Sequence, residues 1–304
     1  MRAPRSPWPY VVFTGLTFST GALVSKALVD EGVDAVLIAG VPFALAGIIG
    51  IALALVGAGI PREAVLPAAA LGVANSTMPA VFINLGFETL PAGLVTLLIA
   101  SSPVMTAVTA HFFFADERLR TLKLVGLALS VIGVAVLAVG SGGSDEEAQW
   151  GGVALVLIGV SAAGISAVPA RMLAVRFGAA RIFGVQLLAA GLVAMAAMPV
   201  AGRPVSVEGG WTVWYLIGLA LLSFTALAGF RSMMAANEVG TTGQVSVIGY
   251  LLPIFGVIGG ALVFDEAITT SVLFGGALIL GGVIVLGLGS SAQPVDEPEP
   301  VAPA

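Results

Sequence analysis

The stretch PAGLVTLLIASSPVMTAVTAHFFFADERL, residues 91–119, has a second copy later in the chain, TTGQVSVIGYLLPIFGVIGGALVFDEAIT, residues 241–269. Each copy predicts an apolar helix with a proline near its middle, a short acidic turn, and a second helix rich in glycine. The residues that match are Gly93 with Gly243, Pro103 with Pro253, Glu117 with Glu266, Gly126 with Gly275 and Gly133 with Gly282. A repeat of roughly 150 residues is far longer than a solenoid unit, so it indicates that half of a protein has been duplicated.

The composition indicates that the solvent of this chain is largely lipid. Of 304 residues, 58% are hydrophobic and 10% are charged, and the mean hydropathy is +1.08. A soluble domain carries about a quarter charged residues because its surface faces water. With one histidine and no cysteine, we expect neither a metal site nor a cofactor. The sequence has no run of basic residues of the kind that predicts nucleic-acid binding.

Ten apolar stretches have about the length that crosses a bilayer. They are Tyr10–Leu28, Val36–Ala58, Ala64–Leu85, Ala92–Ala115, Leu122–Val139, Gly151–Leu173, Ile182–Ala201, Trp211–Ala236, Gly243–Val263 and Val272–Leu288. Lipid offers no hydrogen-bond partner to the backbone, and the stretches do not alternate as barrel strands would, so we predict an all-α integral membrane protein with ten spans.

The basic residues predict the orientation, because they concentrate on the cytoplasmic side of a membrane. With a cytoplasmic N-terminus, only Lys26 and Arg203 lie outside. The ten inside are Arg2, Arg5, Arg62, Arg118, Arg120, Lys123, Arg171, Arg176, Arg181 and Arg231. Both termini are then cytoplasmic, and we expect a multi-pass protein of the plasma (inner) membrane.

Five spans in each half place the second half in the membrane upside down relative to the first. Inverted repeats of this kind are frequent in secondary transporters, with the substrate site near the midplane where the halves meet. We therefore predict a first repeat at 1–140, an extracellular linker at 141–149, a second repeat at 150–290 and a disordered acidic, Pro-rich tail at 291–304.

The repeated proline, acidic turn and glycine-rich last helix resemble the EamA repeat of the drug/metabolite transporter superfamily. The likeness runs from about Tyr10 to Gly289, and Lys26 of the segment FSTGALVSK lies where the family has a lysine. The resemblance implies a ten-helix carrier, often an exporter of amino acids or other small metabolites. It implies a central cavity among spans 1–4 and 6–9, with spans 5 and 10 outside it. Phe18 and Ala163 stand where the family commonly has tryptophan.

Polar and small residues inside spans are the candidates for the substrate pathway, because a polar group in a span faces a cavity or another helix. On span 1, Thr14 lies on the same helix face as the candidates Thr17, Gly21 and Ser25. The candidates are Thr17, Gly21, Ser25, Lys26, Asn75, Thr96, Ser102, Pro103, Gln186, Ser246, Tyr250 and Pro253.

Each candidate has a structural alternative. The small face of span 1 could line the pathway or allow close helix packing. Lys26 could bind a substrate carboxylate at an outer gate, or remain an interfacial lysine paired with Asp30. Pro103 and Pro253 could free carbonyls for substrate and act as hinges, or only shape the helices. The glycines of span 10 could pack within the chain or form a homodimer.

A secondary carrier for a small organic solute agrees best with these patterns. An enzyme would need convergent acids, bases or metal ligands in the spans, where the sequence has almost none. A membrane scaffold or receptor-like protein without transport is the alternative, although such a protein usually has longer loops. No Walker-type phosphate loop is present, so we do not expect ATP-driven transport by this chain. No acidic residue lies deep in a span, which favours facilitated efflux or exchange, while His111 and Glu88 leave proton coupling open. The pattern does not name the substrate.

Overall fold

The structure is a computed structural model that describes residues 6–57, 59–113, 119, 121–140, 146–203, 210–239 and 247–288. Within those ranges the regular structure is entirely helical. The helices are α1 (Trp8–Asp30), α2 (Ala35–Val56), α3 (Arg62–Gly72), α4 (Met78–Phe87), α5 (Ala92–Ile99), α6 (Ser102–Phe113), α7 (Thr121–Gly140), α8 (Glu146–Phe177), α9 (Ala179–Val200), α10 (Val213–Val239), α11 (Ile248–Phe264) and α12 (Thr270–Leu288).

The ten predicted spans are all present as apolar helices. Nine spans of the described residues reach 18 residues or more with the hydropathy of a membrane helix, and α11 forms a shorter tenth with 17 residues. Large apolar side chains lie exposed on the outside of the bundle, for example Val56 at 89% and Leu66 at 78% of their full exposure. Lipid covers such a surface without the cost that water would impose.

The third span contains a π-helical turn, Val73–Thr77, which joins α3 to α4. The sequence predicted one continuous helix here, over Ala64–Leu85. A π turn accommodates one extra residue within a helix and occurs often at functional sites. In this chain it places Asn75 inside the bundle between the two halves.

The fourth span is two helices, which corrects the prediction of one helix with Pro103 near its middle. Helix α5 ends at Ile99, a turn covers Ala100 and Ser101, and α6 begins at Ser102. Pro103 is therefore the second residue of α6, where its missing N–H costs little. Pro253 lies inside the continuous helix α11, as predicted.

The last helices of the two repeats pack against each other through their matching glycines. A Cβ atom added to Gly126 would lie 2.5 Å from the carbonyl oxygen of Gly282, and one added to Gly133 would lie 2.7 Å from that of Gly275. Since Gly126 matches Gly275 and Gly133 matches Gly282, each contact is the repeat equivalent of the other. The halves are thus related by a pseudo-two-fold axis, as the inverted repeat predicted.

The other helix pairs follow the same symmetry. Helix α1 packs on α10 and on α11. Its repeat equivalent, α8, packs on α4 and on α6, which are the equivalents of α10 and α11. Helices α2 and α9 cross each other with backbones in contact near Gly50 and Gly184. The close approach of helix backbones at small residues is the usual source of helix association in lipid.

The bundle has one end at which α1, α4, α9 and α11 finish, and we name it the Asp34 end. The charged residues there include Asp30, Asp34, Glu88, Arg203 and Glu266. Asp34 starts α2 by accepting hydrogen bonds from the N–H groups of Val36 (2.8 Å) and Leu37 (3.3 Å), a typical N-cap. The opposite end, where Glu63 of α3 approaches Arg176 of α8, is named the Arg62 end.

Candidate functional site

The centre of the bundle is formed by the first, fourth, sixth and ninth spans, two from each half. Helix α5 packs on both α8 and α11, and α1 packs on α11. Almost all of α5 is buried, including Thr96, whose hydroxyl donates to the carbonyl of Gly93 at 2.9 Å. Thr96 packs directly against Gly256 of α11. The two repeats therefore meet at small and polar residues where the pathway is predicted.

The polar face of α1 is turned into the bundle, as the sequence predicted. Thr14, Thr17 and Ser25 are buried, and the hydroxyls of Thr14 and Thr17 donate to carbonyl oxygens one turn earlier in α1. An added Cβ at Gly21 would lie 3.3 Å from the hydroxyl of Thr225 on α10. This close contact is what the packing alternative expects of Gly21.

Ser19 makes a polar contact with the second repeat, and it was not among the candidates predicted from the sequence. Its hydroxyl donates to the carbonyl of Gly15 at 2.7 Å and to that of Leu252 at 3.1 Å. Leu252 precedes Pro253, so a residue of the first repeat contacts the backbone of α11 beside its proline. Ser19 lies on a different side of α1 from Thr17 and Ser25, which is why their spacing did not include it.

Asn75 forms a side-chain hydrogen bond that joins the third and sixth spans. The hydroxyl of Ser166 on α8 donates to the amide oxygen of Asn75 at 3.0 Å. The same hydroxyl also lies within hydrogen-bond distance of the carbonyls of Ala162 and Ala163. Asn75 is partly exposed within the bundle, so its amide can also bind another group. The sequence did not indicate Ser166, because a lone serine in an apolar helix is a weak signal of a functional residue.

The candidates around the two prolines lie on different helices of the centre. Ser102 begins α6, and its carbonyl accepts from the hydroxyl of Thr106 at 3.2 Å. An added Cβ at Gly164 of α8 would lie 2.8 Å from that carbonyl. Tyr250 is half-buried and Pro253 is buried on α11. Ser246, the remaining candidate of this span, lies outside the described residues.

Gln186 is buried on α9, away from the α5–α11 contact. A Cβ added to Gly72, the last residue of α3, would lie 2.9 Å from the Cα atom of Gln186. The structure therefore places Gln186 where the π turn begins, on the same side of the bundle as Asn75. The two predicted amides border one region, between α3, α8 and α9.

Lys26 lies at the Asp34 end and has two partners. Its ammonium group pairs with Asp30 and donates to the carbonyl of Phe87, the last residue of α4, at 3.2 Å. Only 14% of its side chain is exposed. Lys26 thus holds the end of α1 against the end of α4, and the paired geometry is that of an interfacial lysine.

A second charged group at the Asp34 end joins the two halves. The guanidinium of Arg203, which follows α9, binds Asp34 at 3.0 Å and Glu88 at 2.9 Å. The hydrogen bond with Glu88 is the largest cause of a raised pKa at Arg203, opposed by partial burial. Arg203 therefore remains charged in this position and joins the end of the loop between α1 and α2 to the start of the loop between α4 and α5.

Glu266 provides a second charged link between the halves, which the sequence indicated only as part of the repeat. Its carboxylate accepts the N–H groups of Ala92 and, at 2.9 Å, Gly93, which begin α5. The acidic turn FDE was a visible signal, but its partner 173 residues away could not be read from spacing. The contacts of Lys26, Arg203 and Glu266 all lie at the Asp34 end, where they hold the helices of that end together.

One cavity of the described residues is separate from this centre. It has a volume of about 320 Å³ and lies between α2, α3 and α9, with an entirely aliphatic lining that includes Ile51, Val65, Val185 and Leu188. The lining has no polar side chain that could orient a substrate. The position on the outside of α2 and α9 indicates a lipid-facing groove.

The comparison with protein families agrees with this architecture. The model of the EamA-like transporter family matches residues 8–139 and again 150–288. The chain belongs to the EamA-like transporter family. The family resemblance read from the proline, the acidic turn and the glycine-rich helix is confirmed, and with it the assignment as a membrane transporter.

Two curated proteins resemble this EamA-like transporter. A probable terminal-alkyne amino-acid exporter of Streptantibioticus cattleyicolor is 32% identical over 147 residues, which are 47% of this chain and 48% of the exporter. The match thus spans about half the length of that relative. An uncharacterized transporter of Archaeoglobus fulgidus is 23% identical over 278 residues, 91% of this chain and 95% of the relative. Among the solved structures that match, a crystal structure has a TM-score of 0.66 and 20% identity over 95% of this chain and 98% of that one, which supports the fold.

Proposed function

We propose that this protein is a secondary transporter that exports a small organic metabolite of the amino-acid class by alternating access. The observation that supports this most directly is the pair of inverted repeats, whose glycine contacts at Gly126–Gly282 and Gly133–Gly275 are equivalent to each other. Two halves of one fold in opposite orientations can exchange conformations around a central site. The partial likeness to a protein named as an amino-acid exporter supports the substrate class and the direction.

The contacts at the centre also support a small zwitterionic or polar substrate. Asn75 and the buried hydroxyls of α1 offer neutral donors and acceptors, which suit the carboxylate and ammonium groups of an amino acid. The charged side chains with described partners lie at the ends of the bundle instead. A polar but uncharged centre keeps the free-energy cost of an empty site in lipid low.

The transport assay that tests this proposal is counterflow in proteoliposomes loaded with a panel of unlabelled amino acids. A labelled substrate should accumulate transiently only when its unlabelled partner is inside. We expect Asn75→Ala to reduce the initial rate about tenfold, since a lost hydrogen bond to a polar substrate costs about 1–3 kcal/mol. Met78→Ala, in the same span but at an exposed side chain, is the matched control and should transport normally. Protein that is folded and binds substrate yet gives no counterflow would favour the receptor-like alternative.

The same proposal includes an orientation, with the Asp34 end extracellular and both termini cytoplasmic. The chain has no native cysteine, so single cysteines report without background. At Glu31, exposed between α1 and α2, a cysteine should react with a membrane-impermeant maleimide added to intact cells. A cysteine at Arg176, whose side chain is 70% exposed, should react only after the cells are opened. The reverse pattern would contradict the orientation.

A further inference from the structure

The turn that follows α11 directs the carboxylate of Glu266 back toward the other repeat. Asp265 has the left-handed backbone conformation, with φ of 53°, which ends the helix and reverses the chain. The N–H of Glu266 then donates to the carbonyl of Gly260 at 3.2 Å. This turn places the backbone of Glu266 beside Gly260, from where its side chain reaches the start of α5.

The carboxylate caps a helix start that has no cap of its own. Helix α5 begins after Pro91, which makes no side-chain capping bond. The first N–H groups of a helix have no acceptor within the helix, and Glu266 accepts those of Ala92 and Gly93 with its two oxygens. A negative charge at this position is also favoured by the helix dipole. The bonds are charge-assisted and stronger than a neutral pair.

Glycines on both helices make this contact possible. A Cβ atom at Gly260 would collide with the Glu266 carboxylate, and one at Gly93 would lie 3.3 Å from the Cα atom of Val257. Helices α5 and α11 therefore touch almost backbone to backbone at the Asp34 end. Beyond Ile99, the fourth span turns away at Ala100, and α6 packs on α8 instead.

We infer that Glu266 is a latch that holds the Asp34 end closed and must release α5 each time this end opens. The inference rests on the proposed alternating access. Opening requires α5 and α11 to separate where Gly93 meets Val257, and that separation breaks both hydrogen bonds of the carboxylate. Glu266 is only half-buried, so water can solvate its charge after release, and the latch is reversible. Glu266 acts on gating and does not contact the substrate.

The test is the accessibility of a cysteine at Val257, which is half-buried against Gly93 and lines one cavity with Glu266. An impermeant methanethiosulfonate reagent is applied to the purified full chain in detergent, and the labelling rate is measured. Glu266→Gln retains the shape of the side chain but removes its charge, so we expect the rate at Val257→Cys to rise about tenfold. Asp265→Asn is the matched control, because it removes one charge from the same turn, asparagine tolerates a positive φ, and Asp265 is exposed. Its rate should equal that of the parent.

A cysteine at Ser130, which is fully buried between α7 and α12, reports whether a variant remains folded. It should stay unlabelled. If Glu266→Gln exposes this position, the comparison is made with Glu266→Asp, whose shorter side chain reaches fewer N–H groups and should give an intermediate rate at Val257. Equal rates for the parent, the Glu266 variant that remains folded and Asp265→Asn would overturn the latch. The assay uses no substrate, so a failure to transport amino acids would leave its result unaffected.

Discussion

Alanine at Gly282 should lower the thermal stability of the purified protein, whereas alanine at the adjacent Gly281 should not. A Cβ atom at Gly282 would lie 2.5 Å from the carbonyl oxygen of Gly126 and 2.7 Å from the backbone nitrogen of Ser130. Neither backbone atom can yield alone, so α7 and α12 must move apart. Overpacking of this kind typically costs about 1–3 kcal/mol, and the contact is one of the two that define the pseudo-two-fold packing.

Gly281 is the matched control because it has the same helix, the same substitution and different surroundings. A Cβ atom there meets nothing within 4 Å, and alanine has the higher helix propensity, so stability should be unchanged or slightly raised. The measurement is the midpoint of thermal unfolding in detergent, followed by size-exclusion chromatography. Equal midpoints for the two variants would contradict the packing of α7 on α12. If these glycines mediated a dimer instead, Gly282→Ala would change the oligomer size.

The features that the sequence predicted correctly are those set by long patterns. The ten apolar spans follow from composition, because lipid demands a continuous apolar helix. The glycine-rich faces of the two last helices predicted close helix packing, because glycine lets membrane helices approach closely, and the structure adds that Gly126 is paired with Gly282. Because the half was duplicated, the chain has two such glycine-rich helices, α7 and α12. Because the second half is inverted, these two helices run antiparallel.

The features that the sequence did not predict depend on contacts between distant residues. The break after Ile99 arises because α5 is held by α8 and α11 while α6 follows α8, and a proline alone does not distinguish a kink from a helix start. Asn75, which accepts a hydrogen bond from Ser166, lies in the π turn, and that turn has no strong sequence signal. Glu266 was visible as an acidic turn, yet its acceptor role depends on a backbone in the other repeat.

We predict that the repeat-equivalent prolines Pro103 and Pro253 act at opposite gates. The structure gives a physical reason for each. Pro103 has no N–H to donate to Ile99, so α5 and α6 stay separate. With Pro103→Ala this bond can form, which would join the two helices into one and draw α6 from its contact with Gly164. Pro253→Ala can form the corresponding bond to Gly249 and would stiffen the first half of α11, where Ser19 contacts the neighbouring carbonyl.

Each substitution should slow transport with less effect on substrate affinity, because it changes the balance of conformations more than the binding contacts. Pro253 lies inside α11, where a proline costs about 3 kcal/mol, so its removal can favour one conformation by up to about a hundredfold. Removal of Pro103 acts differently, because it allows α5 and α6 to join into one stiffer helix. We therefore expect at least a tenfold loss of counterflow rate in each variant. Pro67→Ala is the matched control. Like Pro253 in α11, Pro67 is the sixth residue of its helix, but it is exposed on α3. It should transport at the parental rate.

Cysteine labelling decides whether the two prolines act in opposite directions. Ser25 on α1 lies toward the Asp34 end and Thr109 on α6 toward the Arg62 end, and both are buried in this structure. If the prolines serve opposite gates, Pro103→Ala and Pro253→Ala shift the ratio of the two labelling rates in opposite senses. Shifts of the same sense would mean that both prolines act on one gate. Full transport by the double variant would assign them a structural role alone, because a gate whose hinge has been removed cannot retain its parental rate.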